Sequence, residues 1–263
     1  MTRNIKLVLA YDGTDFNGWQ IQPGLPTIQG ALADAIFRLS GEQVLPQGSG
    51  RTDAGVHALG QVASFVTNSP IPIQKVVVAL NDLLPASVRV LEAEEVAADF
   101  HPRRSARAKT YRYRIYREAV CPPFLARYVY HHPYPLAEAS MRDAAHLVVG
   151  EHDFTSFAAV DEERVERMRQ AQENDEDGPN NLRTILSSEF RRVEPELIYT
   201  VRGSGFLHHM VRNLVGLFLL VGKGTVAPEE VTRILRARDR SANPGATAPA
   251  GGLYLVNVEY GCE

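Results

Sequence analysis

Gly48-Ser49-Gly50-Arg51-Thr52-Asp53 is the stretch whose residue types and spacing best suit covalent or acid–base chemistry. Its three small residues let the backbone turn sharply and come close to a ligand. Arg51 and Asp53 follow two positions apart. A carboxylate beside a fixed cation stays ionised at neutral pH, which suits a nucleophile or a general base. A structural Arg–Asp pair in a surface turn would read the same way from these residues alone. Asp12 and Asp15 offer further carboxylates, but beside Gly13 they fit a turn better than a second catalytic acid. Glycoside hydrolysis, which needs two opposed carboxylates, is therefore a poor match. His131-His132 and His208-His209 are adjacent pairs, so their side chains are expected to diverge into packing or surface positions rather than ligate a metal. Cys121 and Cys262 lack CxxC spacing, and the chain has no GxGxxG before a helix and no P-loop. No metal, disulfide framework or nucleotide cofactor is expected, and the thiols are read as reduced in a cytoplasmic protein.

Two other segments concentrate charge in a telling way. His101 to Arg117 carries Arg103, Arg104, Arg107, Lys109, Arg112, Arg114 and Arg117 without an acid, and interleaves Tyr111, Tyr113 and Tyr116. In a chain of net charge −3 this is a local positive patch. Arginines contact phosphates and aromatic rings stack on bases, so the mixture suits RNA; a solvated edge strand is the blander alternative. Strand alternation puts Tyr111 and Tyr113 on one face and Arg112 and Arg114 on the other, so one ligand cannot meet them all. Gly205 to Gly222, an apolar helical pattern, has Arg212 as its one permanently charged residue. A lone buried guanidinium is costly, so Arg212 needs a carboxylate from elsewhere or a route to water; Asp53 is a candidate partner. His208, four residues earlier in a continuous helix, would share its face but is a poor partner for a cation.

Regular elements must hold these groups. Ile5, Leu7, Leu9 and Tyr11 alternate as a strand that ends at Asp12-Gly13. Thr27 can cap a helix with Ile28, Leu32, Ile36 and Leu39 inside. A short strand near Gln43 to Leu45, a strand over Gln61 to Thr67, a helix over Pro72 to Leu84 and a strand over Val88 to Val96 complete a β-α-β-β-α-β order. The second half repeats it more loosely: a strand over Thr110 to Arg117, a helix over Ala137 to Val149, strands over Leu182 to Val193 and Glu196 to Gly203, helices over Phe206 to Val221 and Pro228 to Arg238, and a last strand over Leu253 to Tyr260. The expected class is α+β: two ferredoxin-like halves, residues 1–104 and 105–263, with mainly antiparallel sheets side by side and a central active-site cleft. Asp161 to Asn181, dense in charged and amide residues, is expected to be a solvated or mobile excursion. At 44% hydrophobic residues the chain can build a sizeable core, and its longest uncharged apolar run, Leu214 to Val221, is too short to span a bilayer. Together with a start that shows no signal peptide, this reads as cytoplasmic.

Gly50-Arg51-Thr52-Asp53-Ala54-Gly55-Val56-His57-Ala58 resembles the signature of the tRNA pseudouridine synthase A family. The likeness runs nearly end to end. It takes in Tyr11-Asp12-Gly13-Thr14, Gly18-Trp19-Gln20, Ala79-Leu80-Asn81, Tyr111-Arg112-Tyr113, His209-Met210-Val211-Arg212-Asn213 and Gly252-Leu253-Tyr254. The chain departs from the family's usual pattern at Phe100-His101-Pro102-Arg103-Arg104 and in the length of the acidic stretch. The resemblance implies an isomerase that converts uridines 38, 39 and 40 of the tRNA anticodon stem-loop to pseudouridine. It further implies no metal or organic cofactor, and a homodimer. Asp53 matches the family's catalytic aspartate, Arg212 its basic partner and Tyr111 its active-site tyrosine, with Arg51 beside the aspartate as a substrate contact. A non-catalytic RNA-binding protein of the same fold is the alternative.

Overall fold

The computed structural model describes residues 2–159 and 181–261 of the 263-residue chain. It divides into two compact units. The first is Met1–Arg112 with Pro122–Tyr130 and Ala250–Glu263; the second is Tyr113–Cys121 with His131–Pro249.

In the first unit, β1 (Arg3–Tyr11) turns Ile5, Leu7, Leu9 and Tyr11 into the core, each at most 4% exposed, as the alternation requires. Helix α1 (Ile28–Ser40) starts at Thr27, whose hydroxyl accepts from the Gly30 N–H, and stops at Gly41 in the left-handed conformation. It buries Ile28, Leu32 and Ile36. The expected strand over Gln43 to Leu45 is absent. Pairing begins only after Pro46, in the two-residue β2 (Gln47–Gly48), where Gln47 and Gly48 lie opposite Ser64 and Ala63. β3 (His57–Thr67) is longer than the expected strand, starting four residues earlier. It pairs antiparallel with β1, while α2 (Ile73–Leu83) buries Val76 and Leu80 and leads to β4 (Val88–Val96) on the other side of β1. The β-α-β-β-α-β order therefore stands. β5 (Ala106–Tyr116) and the chain's last strand extend this sheet, in the order β4–β1–β3–last strand–β5. The last strand runs parallel to β3, with Tyr254 opposite His57 and Leu255 opposite Ala58.

The second unit takes over β5 from Tyr113 onward, where the two-residue β6 (Tyr130–His131) pairs with it. Helix α3 (Glu138–His146) is followed by β7 (Gly150–Asp153), which the sequence pattern did not announce, then β8 (Leu182–Val193) and β9 (Glu196–Gly203) with the bounds their alternation gave. β7, β8 and β9 pair in that order, antiparallel. The expected helix at Phe206 starts four residues late, as α4 (Met210–Gly222), and α5 (Glu230–Ala237) follows. Fully buried Phe154, Phe157, Tyr199 and Phe218 fill this core, with Tyr199 and Phe218 rings edge to face at 5.3 Å. β10 (Leu253–Tyr260) is the last strand. The stretch Asp161 to Asn181, expected to be a solvated or mobile excursion, lies outside the described residues apart from Asn181 itself.

Among the described residues no helix is long and apolar enough to cross a membrane.

Candidate active site

The Asp53 loop sits in a cradle made by the turn after β1. Trp19 donates its backbone N–H to the Thr52 carbonyl at 3.0 Å, and the Gly55 backbone N–H donates to the Phe16 carbonyl at 3.3 Å. The buried hydroxyls of Tyr11 and Thr52 lie 2.8 Å apart. Two glycines let the strands of this cradle touch. A Cβ on Gly13 would stand 2.0 Å from the Val56 carbonyl oxygen, and one on Gly18, which has a φ of +84°, would stand 2.5 Å from the Thr52 carbonyl oxygen. No side chain fits at either place. The Tyr-Asp-Gly-Thr and Gly-Trp runs are thus the physical support of Asp53.

The loop's entry is pinned with equal care. Ser49 is fully buried; its N–H donates to the Val62 carbonyl and its hydroxyl to Gln61 Oε1 at 2.7 Å. Gln61, also fully buried, donates from Nε2 to the Gly50 carbonyl at 3.0 Å. Lys109 reaches from β5 to donate to the Ser49 carbonyl at 2.5 Å. At the exit, Val56 N–H closes a turn onto the Asp53 carbonyl at 3.1 Å. Asp53 itself is half-buried, and Arg51 is exposed. Asp12 plays the turn role expected of it: its Oδ1 accepts from the N–H and the hydroxyl of Thr14.

Tyr111 joins Asp53 in the same neighbourhood. It is 8% exposed on β5. Burial pushes its hydroxyl far above the usual tyrosine range, and Tyr11 and the Asp53 carboxylate push the same way. Tyr11 is pushed up to about 12, by burial above all. Both phenols therefore keep their protons near neutrality: they can donate a hydrogen bond or present a ring face, but neither serves as a base.

The basic segment is split by the fold. Tyr111, Tyr113 and Ile115 face inward and Arg112 and Arg114 stand at half-buried positions, as alternation requires. Arg114 makes a two-pronged pair with Glu196, at 2.5 and 2.8 Å, and Arg117 donates to the carbonyls of His132 and Tyr134. These two support the second unit. Arg103, Arg104 and Arg107 are exposed.

In the second unit Arg212 lies in the first turn of α4, half-buried. Its Nε donates to the Ala248 carbonyl at 2.7 Å, and Ala248 N–H donates back to the Arg212 carbonyl at 3.2 Å. The same loop is held further along. Thr247 donates to buried Asn213 at 2.7 Å, and Gly216 has no room for a Cβ, which would stand 1.8 Å from the Ala246 carbonyl. The Ala/Gly/Pro-rich loop before β10 is thus what orients Arg212. Two sequence expectations need correction. His208 precedes the helix in a turn, so it does not share a helical face with Arg212. The rings of His208 and His209 do not diverge; they lie 4.0 Å apart, because His209 takes the left-handed conformation, with φ 59°, at the start of α4.

Reading from the sequence missed Gln61 as a support of this loop, since its contacts are made only in the fold, and gave no role to His57, although His57 lies inside the motif.

The profile of a family described as tRNA pseudouridine synthase matches residues 7–103 and 144–261. The tRNA pseudouridine synthase A of Solibacter usitatus is 52% identical over 258 residues, covering 98% of this chain and 100% of the relative. Those of Moorella thermoacetica and Brevibacillus brevis are both 44% identical over 258 residues, covering 97% and 98% of this chain and 99% and 100% of theirs. The Asp53 loop, its cradle and α4 all fall inside the matched segments. The chain belongs to the tRNA pseudouridine synthase family.

Proposed function

We propose that this protein isomerises uridine to pseudouridine at positions 38, 39 and 40 of the tRNA anticodon stem-loop, with Asp53 as its catalytic group. The observation that carries the reading is a carboxylate on a loop fixed at entry, apex and exit, with the buried Tyr111 phenol in its field. In the reaction the bond from ribose C1′ to uracil N1 breaks, the base turns, and C1′ bonds to C5. The proton on C5 leaves and N1 gains one, so nothing is consumed and no redox partner or group donor is needed. Asp53 serves as nucleophile toward the sugar or the base, or as the base that removes a proton. The target nucleotide first leaves its stack, at a cost of a few kcal/mol. Tyr111 returns part of that by stacking. Arg51, exposed beside the aspartate, contacts the RNA backbone, and Arg212 acts as the basic partner of Asp53 in the reaction. The protein works as a cytoplasmic homodimer.

The test is tritium release from tRNA labelled at uracil C5. The wild-type protein should release tritium, and Asp53→Asn should abolish release while keeping most of the tRNA affinity, since phosphate contacts dominate binding. An Asp53→Asn rate within tenfold of wild type would refute Asp53 as the catalytic group. Tight tRNA binding with no release by the wild type would point instead to a non-catalytic RNA-binding protein. Arg212→Lys should recover part of what Arg212→Ala loses in kcat, because lysine keeps the charge without the planar fork.

A further inference from the structure

Behind the Asp53 turn, within the first unit, lies a second cluster of polar groups. His57 is 1% exposed. Its Nδ1 accepts from the Gly13 N–H at 3.1 Å, and its Nε2 lies 3.1 Å from the Arg127 carbonyl oxygen. A carbonyl only accepts, so Nε2 carries the proton. The ring stacks on Tyr254 at 4.8 Å and tilts against Tyr128 at 5.4 Å. The Tyr128 hydroxyl donates to Asp12 Oδ2 at 2.9 Å, Asp12 Oδ1 stands 3.2 Å from His57 Nδ1, and the Tyr254 hydroxyl donates to the Tyr128 carbonyl at 2.7 Å. Arg127 also pairs with Asp15 at 2.6 Å, though both side chains are exposed and the pair adds little.

Three stretches distant in sequence thus meet on one imidazole: the turn after β1, the segment Arg127–Tyr128, and β10. The imidazole is four residues from Asp53. Between them, Val56 is held from both sides, by its N–H on the Asp53 carbonyl and by Gly13 packed on its own carbonyl. The Gly13 that presses on Val56 is the residue that donates to His57.

We propose that His57 is a positioning residue for Asp53: by binding the Gly13 N–H and the Arg127 carbonyl together, it uses the Arg127–Tyr128 segment as a wedge that sets the Asp53 turn. This rests on Asp53 being the catalytic group. A misplacement of about 1 Å at a reacting group costs about a hundredfold in rate, so a buried tie this close to Asp53 has leverage on turnover without touching the RNA.

The test compares His57→Ala, His57→Asn, His57→Gln and Tyr128→Phe in the full chain, with Asp53→Asn alongside. The readouts are the single-turnover rate and Kd on tRNA, the melting midpoint, and hydrogen exchange at the Gly13 and Val56 amides. An asparagine amide reaches the Nδ1 position and can still accept from Gly13; a glutamine amide reaches the Nε2 position and can still donate to Arg127. His57→Ala should lower the single-turnover rate by about tenfold or more, leave Kd within about threefold, and speed exchange at both amides. His57→Asn should recover more of the rate than His57→Gln. Tyr128→Phe, which removes a single hydroxyl, should fold and lose about two- to fivefold in rate. Wild-type rates in His57→Ala and Tyr128→Phe, with Asp53→Asn inactive, would overturn the positioning role and leave the catalytic reading standing. Parallel losses of rate, affinity and midpoint without rescue by either amide would also overturn it, as a merely structural role. An active Asp53→Asn would instead remove the reading on which the proposal rests, and the proposal with it.

Discussion

The hydroxyls of Tyr11 and Thr52 lie 2.8 Å apart, both buried, one residue before Asp53. The bond joins the end of β1 to the Asp53 loop and leaves neither hydroxyl to be satisfied by water. Tyr11→Phe strands the Thr52 hydroxyl and should cost about 1–2 kcal/mol in stability. Urea midpoints of Tyr11→Phe, Thr52→Val and the double variant check this. A double variant whose loss equals the sum of the two single losses would show that the hydroxyls do not interact.

Gly18 combines a φ of +84° with a gap to Thr52 too small for a Cβ. Gly18→Ala should destabilise the fold by more than about 1 kcal/mol from backbone strain alone, and should lower turnover by shifting Thr52 and Asp53 together. Thermal midpoint and single-turnover rate, measured on the same preparation, test the pair of effects. An unchanged rate in a folded variant would show that the cradle does not set Asp53.

Asp12 gives a pH signature. Burial alone would raise its carboxyl, but the Thr14 hydroxyl and amide and the Tyr128 hydroxyl together hold it below the usual range, and a protonated His57 would act the same way through its charge. A group with a lowered folded pKa stabilises the fold fully above its unfolded value, near 3.9, and loses that contribution as pH falls through the folded value. The stability gap between wild type and Asp12→Asn should therefore be constant from about pH 7 down to about pH 5 and shrink below about pH 4. Urea titrations across that range check it; a gap that widened toward acid would reverse the sign of the argument.

The basic segment should separate into two kinds of arginine. Removing exposed Arg103, Arg104 or Arg107 should weaken tRNA binding and reduce the slope of log K against log salt by about 1 for each lost phosphate contact, with little change in stability. Arg114→Ala leaves Glu196, which is 8% exposed, without its two-pronged partner. It should cost about 2–3 kcal/mol of stability and leave the salt slope unchanged. Binding isotherms at several salt concentrations, paired with urea unfolding, distinguish the two groups.

Tyr111 tests ring against hydroxyl. Because burial holds the phenol protonated well above neutrality, the wild-type rate–pH profile should show no tyrosine limb below about pH 9. Tyr111→Phe should keep the shape of that profile. Tyr111→Ala should weaken productive binding by about 1–3 kcal/mol through lost stacking. Wild-type single-turnover rates in both variants would remove Tyr111 from the site.

Local pattern alone determined a good part of this protein. The alternation over 182–193, 196–203 and 253–260 marked strands at the bounds the fold uses, and Thr27 marked the start of α1, because a pleat period or a cap is decided by near neighbours. The Gly-Arg-Thr-Asp motif and the basic segment were likewise visible as residue types in a run. Contacts between distant residues escaped this reading. Tertiary structure decided that β10 lies parallel to β3 beside His57, that Arg114 pairs with Glu196 across 82 positions, and that Gly13 and Gly18 are the floor on which Thr52 and Val56 rest. It also delayed α4 to Met210, because His209 turns left-handed and breaks a helical pattern that hydrophobicity alone carries back to Phe206. Periodicity records which face of an element is apolar, but the partner that covers the face, and the charge that meets a given arginine, depend on which segments the folded chain brings within a few ångströms of one another.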